Sequence, residues 1–403
     1  MDAPMKEDIA RAGVLPSSLK LRILILAMLA VMAFVSTSVG IKEAAFSNPA
    51  TEGIDFQWSG ANLLSQHIDP WKLFIEHQDQ GKIILGQQPN YLAELFLLLQ
   101  PLGRMPFQEA VKWWCGFNLV FTGCVLYLVS KMFILDRDHA LLIAFALIAS
   151  MPFRVTLHIG QHSLFVLLML CLTFSARNVF IRGITLGISY SKYSFAPLIV
   201  VMLLAKRRAG VVLMSIVPPL VGLLVAWYML GGDLKTLALE PFGVAKIAMG
   251  PGAADIMTPL EALLRTLGIS SSLRFSIPAV LGLIAAFVSG IWIGRSKQMD
   301  ERVQFAVALT LTLVCLKHVI YDFVVLVVPI AAAIMARQSK ARIIVLLCGF
   351  HFWFITPIVQ KVFPEFSAIK IVIYSALLLL MGIATSRLQI NRGPAFVAVP
   401  VGD

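Results

Sequence analysis

The sequence predicts an all-α integral membrane protein with about twelve transmembrane helices, and three observations carry that prediction. Of 403 residues, 59% are hydrophobic and only 14% charged, and the mean hydropathy of +0.85 exceeds what a soluble core requires. The apolar residues come in unbroken runs rather than in alternation, which excludes a membrane β-barrel. Basic residues gather in short turns on one side of those runs.

Windows of membrane-spanning length place helices near 21–40, 110–132, 138–155, 162–178, 209–230, 277–294, 341–358 and 368–386. The first is too long for a removable signal peptide and lacks a small-residue cleavage site, so it reads as a retained helix. Two stretches, 181–205 and 303–336, are too long for one helix and carry polar breaks at Ser189-Tyr190-Ser191-Lys192 and at Lys317-His318. Each reads as a helical hairpin turning at the outer face, which brings the total to twelve with both termini on one side. Under that topology the whole net charge of +11 falls on the face bearing the termini, notably at Lys206-Arg207-Arg208, Arg295-Ser296-Lys297 and 337–342. By the positive-inside rule that face is cytoplasmic, and the membrane is the cell's inner (plasma) membrane. The basic face answers to topology and anionic lipid, because no basic-aromatic motif for nucleic acid occurs.

The chain forms a single polytopic domain with two long outer segments and a cytoplasmic tail at 387–403. The first outer segment, 41–109, contains short amphipathic pieces at Trp58 to Leu64, Trp71 to Ile75 and Tyr91 to Leu102. They suit the interface, with Trp58, Trp71 and Tyr91 at headgroup depth. The second, 231–276, is punctuated by Pro241, Gly250-Pro251-Gly252 and Pro259, with room for a short helix at 259–267. Cys115, Cys124, Cys171, Cys315 and Cys348 lie in or beside apolar spans without metal-ligand spacing, and read as small packing residues.

Polar and charged groups at the outer ends of spans are costly unless paired or functional. Here they are Arg154, His158, Gln161 and His162 at one turn, Lys192 in the first hairpin, and Lys317, His318, Tyr321 and Asp322 in the second. Some admit a structural reading: Lys317 can snorkel to the interface, and Asp322 can pair with Lys192 or Arg154. His158 and His162 are four residues apart but straddle Gly160, without the pattern of a metal pair. Together, however, cations at one depth can hold a lipid phosphate. A nearby carboxylate such as Asp55, just past the first span, can take a proton from an attacking hydroxyl. That combination describes group transfer from a lipid-phosphate carrier.

The run GIDFQWSGANLLSQHIDPW, from Gly53 to Trp71, resembles the opening loop of glycosyltransferase family 87 of the GT-C superfamily, through Asp55, Ala61, Leu63-Leu64 and Asp69-Pro70-Trp71. Gln100-Pro101-Leu102, Met105-Pro106, Ala110, Trp113-Trp114, Gly160-Gln161, Lys192-Tyr193 with Lys206-Arg207-Arg208, and Tyr321-Asp322-Phe323-Val324 extend the likeness. It departs at Lys192, which no proline follows closely, and at Pro89-Asn90-Tyr91, where the family often has an aromatic before two prolines. The resemblance implies a GT-C type transferase that takes a hexose such as mannose from a polyprenyl-phosphate sugar to a lipid or glycan acceptor outside the cytoplasm. It implies that Asp55 is the general base of an inverting reaction and that Lys192 and His318 stabilise the departing phosphate. Asp69, Gln161, Tyr321 and Asp322 would line the sugar pocket. No cofactor is expected, since a monophosphate leaving group needs one or two cations rather than a metal. A transporter or lipid flippase shares the many spans, but no internal symmetry between halves is visible. A surface-glycan ligase or polymerase is disfavoured because the 231–276 loop contains no histidine.

Overall fold

The computed structural model describes residues 16, 18–46, 56–77, 81, 83, 87–248, 264, 267–316, 318–356, 358–359 and 367–390. Among them no strand forms beyond one isolated bridge between Ala336 and Ile390, and the architecture is helical. The elements in order are α1 (Leu19–Phe46), α2 (Trp58–Ser65), α3 (Pro70–Ile75), α4 (Ala93–Gly103), α5 (Phe107–Phe133), α6 (Arg137–Ala149), α7 (Met151–Ile159) and α8 (Ser163–Ser175). There follow α9 (Val179–Ser189), a 3₁₀ turn at Tyr190–Phe195, α10 (Ala196–Ala205), α11 (Ala209–Met214), α12 (Val217–Leu230), α13 (Leu234–Ala248) and α14 (Ser271–Arg295). The chain continues with α15 (Glu301–Cys315), a 3₁₀ turn at Ile320–Leu326, α16 (Val327–Met335), α17 (Lys340–Phe350) and α18 (Ser367–Ser386).

By length and composition alone, five helical runs in the described residues suffice to cross a membrane, or six if the bent pair α6–α7 counts as one; the five include 179–205, which is interrupted at Lys192. This is a multi-pass membrane protein; among the described residues twelve full-length crossings are not established, because several expected spans are short helices that stop at internal turns. The 55° bend between α6 and α7 comes from Ser150, which caps α7 by accepting from the Phe153 amide at 3.3 Å, with Pro152 in the new helix's first turn.

The run 179–205 turns back on itself, as its polar break predicts. Arg182 and Lys206 both meet Glu301, at 3.7 and 3.9 Å, whereas a straight helix would set them roughly 36 Å apart. The reversal lies at Lys192, whose φ of −110° and ψ of 78° are not helical. The second hairpin is likewise formed, by α15 and α16 about the turn near His318.

The bundle thus has a basic end, where Arg22 meets Asp138 at 3.5 Å, Arg302 reaches the Met132 carbonyl and the Arg337 amide donates to Gln389. The opposite end carries α2, α3 and α4. There Trp71 and Tyr91, expected to face lipid headgroups, are buried in protein. Their burial follows from polar satisfaction within the fold, since the Trp71 indole donates to the Tyr91 carbonyl at 3.1 Å. Pro241, expected to mark a turn, sits inside α13. That helix gains enough from burying Leu237, Val244 and Ala245 to tolerate it.

Glycines permit the closest helix contacts. A Cβ at Gly282 of α14 would lie 2.0 Å from the Cys315 carbonyl oxygen of α15. Gly282→Ala should therefore destabilise the protein by about 1–3 kcal/mol in detergent thermal unfolding. Gly123→Ala, in mid-helix with nothing within 4 Å of its Cβ position, should be neutral or slightly stabilising.

Candidate functional site

Three chain reversals converge on one buried carboxylate. Asp322, in the first turn of the 320–326 helix, is fully buried. Its Oδ1 accepts from the Lys192 ammonium and from Ser163 Oγ at 2.5 Å. Its Oδ2 accepts from His318 Nδ1 at 3.0 Å and from the Val319 amide at 3.2 Å. Four donors saturate the lone pairs of the carboxylate, which is how a fold tolerates a buried anion. Lys192 also donates to Ser163 Oγ at 3.0 Å and stands 4.7 Å from the centroid of the Tyr321 ring, a cation–π contact. The Phe195 ring packs 4.4 Å from the His318 imidazole.

Because Asp322 can only accept, the proton of a neutral His318 sits on Nδ1. Its Nε2 is buried with no hydrogen-bond partner among the described residues. Lys192 has given two of its three N–H bonds to protein, leaving one.

A second wall is aromatic. Gly160 ends α7 with φ of 69°, and a Cβ there would lie 2.9 Å from Phe56, so both conformation and proximity demand glycine. The Trp114 indole donates to the Gly160 carbonyl at 2.7 Å. His162 lies between Trp114 and Tyr91, at ring separations of 5.0 and 5.2 Å, and the Tyr91 hydroxyl donates to Gln161 at 3.4 Å.

Of the residues the sequence singles out, Lys192, His318, Tyr321 and Asp322 come together, and the expected Asp322–Lys192 pair is made. Gln161 and His162 adjoin them through Ser163. Arg154 and His158 stand apart on α7, facing α1, where His158 lies 3.6 Å from Glu43 and the Arg154 carbonyl approaches Gly40. Asp69 caps α3, accepting from the Trp71 and Lys72 amides at 3.0 Å each with Pro70 as the first helical residue. Asp55 and Lys317 lie outside the described residues. Ser163 was missed, although it directly follows Gly160-Gln161-His162; a lone serine at a helix start reads as a cap.

The Asp69 carboxylate also takes a hydrogen bond from Glu240 of α13. Partial burial and then the Asp69 charge push the Glu240 carboxyl up to about 7, with Lys72 opposing and Glu76 adding to the shift. Helix α13 bears in turn on the Lys192 turn through Phe242, 5.2 Å from the Tyr193 ring.

Residues 95–357 match the model of glycosyltransferase family 87. The chain belongs to that family. It is a membrane glycosyltransferase, an enzyme that transfers a sugar between a donor and an acceptor. The matched segment contains the whole Asp322 cluster and begins beyond the Asp55 to Trp71 run. No curated protein and no solved structure matched the chain.

In this glycosyltransferase, Asp322→Ala should cost about 3–5 kcal/mol, because it strands a buried ammonium and leaves other donors unmet. Lys192→Met should cost less, since Asp322 keeps three donors; thermal unfolding that reversed this order would refute the carboxylate as the hub. Glu240 predicts a pH effect with a definite sign. Its carboxyl is raised in the folded state, so its contribution to α13 docking is full below about pH 4.5 and is lost as pH rises through about 7. Amide exchange in α13, corrected for intrinsic rates, should quicken between pH 5.5 and 8, and Glu240→Gln should flatten that response.

Proposed function

We propose that the enzyme moves a hexose, such as mannose, from a polyprenyl-phosphate carrier to a lipid-linked or glycan acceptor at the outer face of the inner membrane, with inversion. The observation that carries this reading is the set of donors around Asp322: one N–H of Lys192 and the Nε2 of His318 stay uncommitted at the meeting of three reversals. A lipid monophosphate supplies what they lack. As the glycosidic bond breaks, charge grows on the phosphate oxygens. The Lys192 ammonium, held in place by Asp322 and Ser163, stabilises that charge without reorganising. His318 donates from Nε2 in its protonated form. One departing phosphate and these cations need no metal between them.

Asp55 is the general base: it takes the proton of the acceptor hydroxyl, which attacks the anomeric carbon from the face opposite the phosphate. Tyr321, Gln161 and His162 line the sugar side, with Asp69 further out. Lys317 adds a cation along the donor's headgroup, whereas Arg154 and His158, which stand apart toward α1, are left out of the site. Support comes from family membership and from the position of the cluster, which short helices reach from the basic end.

A second reading rests on the same dyad. Neutral His318, protonated on Nδ1 by its bond to Asp322, presents a basic Nε2 and could itself deprotonate the acceptor. Purified protein with radiolabelled polyprenyl-phosphate sugars and a membrane-lipid extract separates the two. Asp55→Asn should reduce transfer by about 10²–10⁴-fold while the protein stays folded. Near-normal transfer by that variant, with loss in His318→Gln, would hand the base's role to the histidine. Substrate crossing liposomes without covalent transfer would overturn both readings in favour of a carrier.

A further inference from the structure

The basic end holds a charge cluster that the transfer reaction does not use. Glu301, at the start of α15, is approached by three cations from two other elements. Arg208 clasps it with both terminal nitrogens, Arg182 Nη2 stands 3.7 Å from Oε1, and Lys206 Nζ stands 3.9 Å from the same oxygen. The neighbouring acid, Asp300, is spent on Arg302 at 2.8 and 3.1 Å, so one carboxylate serves three cations and the group carries a net charge of about +2.

Hydrogen bonding shows the same deficit. The fork of Arg208 occupies both Glu301 oxygens, and Lys206 turns to Gln304 Oε1. Arg182 gets neither: its Nε and Nη2 are buried without a hydrogen-bond partner among the described residues. Unmet buried donors on a charged group are expensive, and like charges at this spacing repel. A structural ion pair needs one cation per carboxylate; three describe a site short of an anion.

The surroundings indicate which anion. On α9, one turn before Arg182, Val179, Phe180 and Ile181 are 51%, 58% and 48% exposed, and Leu213 of α11 is 62% exposed. These apolar side chains stand at the end of a membrane-embedded hairpin, where acyl chains run. We propose that Arg182, Lys206 and Arg208 bind the phosphate of an anionic phospholipid headgroup, with its acyl chains against Val179, Phe180, Ile181 and Leu213. The lipid phosphate seats against Arg182 and Lys206 and completes the charge balance that Glu301 begins. It ties the two legs of the 179–205 hairpin to α15 at the far end from Asp322.

Native mass spectrometry of the full chain, in detergent doped equally with phosphatidylglycerol and phosphatidylcholine, tests this. The wild type should retain phosphatidylglycerol preferentially. Arg182→Gln and Lys206→Gln should each cut that retention about fivefold. Glu301→Gln should raise it by a similar factor, a sign that a purely structural ion cluster does not produce. On the unmodified protein, phosphatidylglycerol should raise Tm and phosphatidylcholine should not. Unchanged lipid ratios in folded variants, or equal Tm shifts from the two lipids, would overturn the proposal. So would millimolar inorganic phosphate giving the full Tm rise without lipid, which would make the site one for free phosphate.

Discussion

A single buried anion organises the centre of this protein. Asp322 is held by donors from the start of α8, the Lys192 turn and the backbone at Val319, so three reversals that are distant in sequence must meet at one point. In the apolar interior an unpaired carboxylate or ammonium is not viable, and neither partner can leave without stranding the other. The short helices follow from this constraint. They extend from the basic end only as far as the reversals allow, and the buried polar groups collect where they stop.

Close backbone approach is the second requirement. Gly282 on Cys315, Gly222 on Glu94 and Gly160 on Phe56 each remove a side chain where two segments touch. Between apolar helices in lipid, such proximity substitutes for the hydrophobic drive available in water. The aromatic wall around His162 depends on the last of these contacts, because the carbonyl that anchors the Trp114 indole belongs to Gly160. Helix packing and site geometry are therefore one problem at this point.

Much of this was legible in the residues. The polar interruptions at Lys192 and His318 marked both reversals, and a charge inside an apolar run could be read as either a site or a pair; it proved at least a pair. The amphipathic pieces at 58–64, 71–75 and 91–102 also became helices. Crossing number was less legible, because hydropathy measures oiliness and not depth: α8, α10 and α16 are as apolar as full spans but end early. The burial of Trp71 and Tyr91 was hidden for a related reason. An indole at a lipid headgroup and an indole donating to a carbonyl within the protein look alike in sequence. Ser163 and the Glu240–Asp69 contact needed coordinates, since each joins residues more than 150 positions apart.

The reversal at Lys192 bears on how the chain is made. Its two legs, of 11 and 10 residues, are each about half the length needed to traverse a bilayer, so the segment enters as one folded-back unit. The ammonium at its tip costs roughly 2.5–3.5 kcal/mol to bury alone, and its counter-ion is encoded 130 residues later. During synthesis the hairpin therefore waits, with its charge unbalanced, until α15 and the turn after it have been inserted. Assembly of the Asp322 cluster thus waits on a late part of the chain, and a ribosome stalled before Asp322 leaves a hairpin that cannot complete it.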